Sequence, residues 1–86
     1  SSSAASDVYK RQGLESGDAA LLARTAAAFR RLGAAEPMAW FDFNAALAEA
    51  ALAPRAAALD RLAEEAGRQG YRWALPWIGR LRDAAT

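Results

Sequence analysis

Asp42 and Glu49 are carboxylates seven residues apart on one face of a helix-forming stretch. Paired carboxylates can divide general acid and general base roles, but they must then flank one reacting group. Seven residues is two helical turns, about 10 Å by helical rise, which is loose for such work, and a metal would need further ligands. The chain contains no histidine and no cysteine. It therefore lacks the usual near-neutral base, the commonest metal ligand and any thiolate. After residue 12 the only hydroxyl side chains are Ser16, Thr25, Tyr71 and Thr86, and none can join a nucleophile–histidine pair. Gly67 and Gly70 stand at a helix end and not in the strand–turn–helix setting of a phosphate loop. The expectation is a non-enzyme with no catalytic, cofactor-binding or metal-binding residues and no small-molecule substrate.

Recognition is the remaining class. Tyr71 and Trp73 lie near the last turn of the chain, beside Arg72, with Arg80 two helical turns on. Aromatic and arginine side chains dominate binding energy at protein contacts, so these four are the candidate partner-contact residues. Trp40 and Trp77 are expected to be core residues. Arg72, Arg80 and Arg82 form a small basic end that compensates a helix C-terminus. Asp60, Glu64 and Glu65 each have an arginine within helical reach and read as solvated surface.

Residues 2–12 read SSAASDVYKRQ. This string resembles the translation of a sequencing-library adapter that ends in a transposon mosaic end. Composition sets the same segment apart. The only valine (Val8), the only lysine (Lys10) and four of the five serines fall within residues 1–12. Beyond residue 12 every basic side chain is arginine and alanine dominates, as in a GC-rich bacterial coding sequence. Residues 1–12 are thus expected to be non-native and disordered, with the native frame of a longer protein resuming near Gly13. The full chain carries 11 basic and 10 acidic residues. Without Asp7, Lys10 and Arg11 the balance is 9 to 9. A neutral, interspersed surface gives no footprint for nucleic acid or an acidic membrane. No apolar run nears the roughly 20 residues a membrane helix needs, and cytoplasmic location is the expectation.

The 3.6-residue period predicts four helices, over about 18–32, 38–53, 55–68 and 72–84. Asp18 suits an N-cap and Gly33 a helix stop. Pro37 and Pro54 suit helix first turns, and Gly70 closes the third helix. In the first helix Leu22, Thr25, Phe29 and Leu32 form the buried stripe. The second is apolar nearly all round, broken by Asp42 and Glu49, and such a helix belongs at the centre of its fold. Pro76 requires the fourth helix either to start near Ala74 or to kink. No segment alternates with period two.

A shift of 37 residues superposes Leu22, Arg24, Arg31, Gly33 and Trp40 on Leu59, Arg61, Arg68, Gly70 and Trp77. Repeats of this length indicate stacked helix pairs. The stretch Trp40-x-x-Phe43-Asn44-x-x-Leu47 resembles the W-x2-L-G-x2-Y helix of the tetratricopeptide family, with asparagine in place of glycine. The match is poorer in the second copy, and the period exceeds the usual 34. The resemblance implies an all-α fold of two antiparallel helix hairpins stacked as an α-solenoid slice over about residues 18–86. It implies a non-catalytic interaction or regulatory scaffold, similar to the helical repeats of large bacterial ATPase-type regulators and cyclases. The partner would be another protein or adjacent repeats. Two alternatives are a C-terminal helical accessory domain of an enzyme and a free-standing helical bundle. Sequencing the locus across codons 1–13 is expected to show a break in genomic sequence near Gly13. Continuous genomic DNA with unrelated codons would refute the adapter reading.

Overall fold

The computed structural model of the chain describes residues 2–85, with side chains from residue 4 onward. Ser1 and Thr86, whose hydroxyl was considered above, lie outside the described residues. The fold is all-α: α1 Ser2–Ser16, α2 Ala19–Ala35, α3 Ala39–Leu52, α4 Ala56–Gln69, a 3-10 turn Arg72–Ala74 and α5 Leu75–Ala85. No strand occurs among the described residues.

Of the residues 1–12 expected to be disordered, helix α1 corrects the expectation for residues 2–12. It runs unbroken from Ser2 across residue 12 to Ser16. Ser6, Lys10 and Gly13 recur at helical spacing on its buried side, with Leu14 half-buried next to them. A methyl group at Gly13 would come within 3.0 Å of Leu22 Cδ2, so the missing side chain lets α1 lie close on α2. Conformation does not bear on the origin of the segment.

Helix α2 opens at Asp18, whose Oδ1 accepts the Leu21 amide N–H at 3.1 Å, satisfying one of the amides that a helix start leaves without a partner. It does not stop at Gly33 but continues to Ala35. Gly33 instead serves close packing: a Cβ there would stand 3.3 Å from Asp42 Oδ1 and 3.6 Å from Phe41 Cβ. Both Pro37 and Pro54 fall just before a helix and not in its first turn. Each follows a residue outside the helical region, Glu36 (φ −142°, ψ 97°) and Ala53 (φ −144°, ψ 80°). Proline disfavours the helical region for the residue before it, so each proline ends one helix, and α3 and α4 start two residues after it. Gly70 ends α4 in the left-handed region at φ 75°, and the Tyr71 amide bonds back to the Ala66 carbonyl at 2.9 Å, a Schellman closure. Pro76 sits in the first turn of α5, where its absent N–H costs nothing.

Helix α3 is central. Seven of its residues are buried: Phe41, Phe43, Asn44, Ala45, Leu47, Ala48 and Ala50. They reach all three core clusters: Phe43, Leu47 and Ala50 against Leu59, Leu62 and Ile78; Ala48 against Leu22 and Ala26; Phe41 and Ala45 against Phe29. Leu47→Ala is expected to lower unfolding free energy by about 2–5 kcal/mol. Leu52→Ala, at a side chain 40% exposed, should change it by less than about 0.5 kcal/mol. Urea unfolding of the two variants checks the contrast.

Candidate functional site

Two features stand out on this scaffold, an aromatic cluster at the α3–α5 end and a cleft between α3 and α4. The cluster is built by the turn after α4. Because Gly70 reverses the chain, Tyr71 and Trp73 fold back over α3. Tyr71 lies 5.2 Å from Trp40 and 4.9 Å from Phe43, ring centroid to ring centroid. Trp73 lies 5.6 Å from Trp40 and 5.9 Å from Phe43. These are favourable tilted and edge-to-face arrangements. Tyr71 and Trp73 are both half-buried and pack against the main core. Trp40 shares this cluster, whereas Trp77 stays half-exposed, with the Arg80 guanidinium 4.7 Å from its ring.

The four candidate contact residues thus fall into two groups. Tyr71 and Trp73 come together, with centroids 6.2 Å apart. Arg80 pairs with Trp77 instead, and Arg72 is exposed on the 3-10 turn. Arg82, grouped with them as a basic end, reaches across to Asp60 at 2.8 Å.

Two residues outside the four sequence candidates complete the cluster. Asn44 is fully buried. Its Nδ2 donates to the Trp40 carbonyl at 2.8 Å, which fixes the amide so that Oδ1 faces α1. Lys10 is 5% exposed, and its Nζ donates to Asn44 Oδ1 at 2.7 Å and to Asp7 Oδ1 at 2.6 Å. The same ammonium stands 4.0 Å from the Trp73 ring centroid and 5.3 Å from that of Trp40, within cation–π range. Burial pushes the Lys10 ammonium below the ordinary lysine value, against the opposing hydrogen bond and charge of Asp7. The one legible signal was Asn44 itself, an amide set in an otherwise apolar helix, since buried amides require partners.

The α3–α4 cleft encloses about 710 Å³. Phe43, Ala46, Ala50 and Leu62 line its apolar part, and Asp42, Glu49, Glu64 and Glu65 outnumber Arg61 and Arg68 around it. Arg30 of α2 organises one side. It makes a two-pronged contact with Glu49 at 2.7 and 3.2 Å and lies 3.7 Å from Asp42. The polar stripe of α3 is therefore an ion-pair seat for a neighbouring helix. On the other side Arg68 and Gln69 hold Glu65 at 2.5 and 2.9 Å, at a spacing of three and four residues.

Among the described residues no helix is long and apolar enough to cross a membrane, and no group of three or more His, Cys, Asp or Glu is placed to hold a metal ion. Comparison with protein-family models, curated proteins and solved structures gives no match.

Lys10 sets a pH dependence. Its folded-state pKa is lowered, so between that value and the unfolded value of about 10.4 the unfolded chain binds more protons. Stability should rise with pH through this window as the cost of burying the ammonium disappears. Urea midpoints at pH 8 and pH 10 should move apart in the wild-type chain and less in Lys10→Met.

Proposed function

We propose that the chain is part of a non-catalytic helical-repeat interaction scaffold. In this reading α2–α3 and α4–α5 are successive antiparallel hairpins of a tetratricopeptide-like solenoid, and the α3–α4 cleft between them receives a basic helical segment of a protein partner. The cleft's composition carries the reading. Alanines at 46, 50 and 58 leave room for a helix to approach closely. Arg30 engages Asp42 and Glu49, and Arg68 engages Glu65, so four carboxylates face three arginines and Glu64 supplies the negative excess that favours a cationic occupant. Grooves lined this way accept amphipathic helices through a few anchors, with complementary charge setting encounter and register. The repeat register adds support, because α2 and α4 begin 37 residues apart, at Ala19 and Ala56.

A fluorescein-labelled, lysine-rich amphipathic helical peptide tests this with the full chain. Anisotropy should show saturable one-to-one binding that weakens as salt rises. Ala46→Trp, which fills the cleft, and Glu64→Lys, which reverses its rim charge, should each weaken binding about tenfold or more. Equal binding by Ala46→Trp, or no saturable binding by the wild-type chain, would overturn the proposal.

A further inference from the structure

The Lys10 ammonium occupies a place that is built to receive it. One of its two acceptors is Asp7 Oδ1 on its own helix, at 2.6 Å. The other, Asn44 Oδ1, belongs to a fully buried amide locked by a second hydrogen bond to the Trp40 carbonyl. Two indole rings face the charge at 4.0 and 5.3 Å. Asn44, Trp40 and Trp73 come from α3 and from the turn before α5, elements far from α1 in sequence. A cavity of about 230 Å³, lined by Trp40, Trp73, Trp77 and Leu14 with Asp7, Lys10 and Arg11, adjoins this place. An apolar core alone has no use for such an arrangement, because a buried amide oxygen without a donor is costly.

We propose that Asn44 Oδ1 and the faces of Trp40 and Trp73 form a binding site for a primary alkylammonium group, of the kind a lysine side chain ends in, and that Lys10 fills this site from within the chain. All three site residues lie beyond residue 12. The site therefore belongs to the part of the chain that the sequence reading treats as native, and Lys10 displays the chemistry it accepts. The amide oxygen makes the preference specific. Indole faces attract any cation, but only a cation bearing an N–H can also donate to Asn44. A primary ammonium satisfies both, whereas a quaternary ammonium leaves the amide without its donor. This inference does not depend on the α3–α4 cleft.

Chemical rescue of the full-length Lys10→Ala variant tests the proposal. The substitution removes three methylenes and the ammonium, a hole shaped like n-propylammonium. Added n-propylammonium chloride should raise the variant's melting temperature by about 2–4 °C over sodium chloride of equal ionic strength, as expected for a ligand of the folded state alone. 1-Propanol and tetramethylammonium should give no such rise, and neither should n-propylammonium added to the wild-type chain or to Lys10→Ala/Asn44→Leu. Equal rescue by 1-propanol would reduce the site to an apolar hole, and equal rescue by tetramethylammonium would remove the role of Asn44. Either result, or no rescue at all, overturns the proposal. If Lys10→Ala does not fold, the Lys10 Cε resonance decides the matter. Its pKa should fall in Asn44→Leu relative to wild type, because the amide acceptor that favours the charged form is lost while a side chain of similar size keeps the ammonium covered. An unchanged or raised pKa would overturn the site.

Discussion

Everything in this fold follows from the need to cover α3. A helix with aromatic and aliphatic residues on nearly every side cannot sit at a surface without exposing a large apolar area. One neighbour is too few. Helix α2 covers Phe41, Ala45 and Ala48. Helices α4 and α5 cover Phe43, Leu47 and Ala50, and the turn at Tyr71–Ala74 covers the Trp40 end. Its exposed residues lie where α3 is polar, at Asp42 and Glu49, or at its ends, at Ala39 and Leu52.

Charge and glycine adjust this packing without driving it. Arg30 bridges α2 to the polar stripe of α3, yet its side chain and that of Glu49 are each 47% exposed. Exposed pairs contribute about 0–1 kcal/mol, so the bridge sets register more than stability. Gly33 has the complementary role of letting the two backbones meet near Phe41 and Asp42. Asn44 is of another kind. Its amide is bonded on both ends, and among the described residues no buried side-chain nitrogen or oxygen lacks a partner.

The local signals that were legible are the ones with a local mechanism. Asp18 caps because its side chain reaches its own helix start. Gly70 turns because a glycine tolerates positive φ. Pro76 fits a first turn because that position needs no N–H. Signals that depend on neighbours were misread or invisible. Gly33 has the composition of a stop but was used as a packing surface. Pro37 and Pro54 shifted two helix starts because proline acts on the residue before it as well as on its own. At the candidate site, Tyr71 and Trp73 were visible as aromatics. Their union with Trp40 and Phe43 was not, since it requires the chain reversal at Gly70.

The sequence by itself determined an all-helical chain, the central place of α3 and the absence of histidine and thiol chemistry, because periodicity and composition are properties of residues in order. Tertiary structure alone decided that residues 2–16 form a helix, that Lys10 is buried against Asn44 and Trp73, and that Arg30 serves both carboxylates of α3. These outcomes depend on groups brought together from distant positions. Lys10 and Asn44 are 34 residues apart, and nothing in the chemistry of either residue specifies the other until α1 is laid against α3.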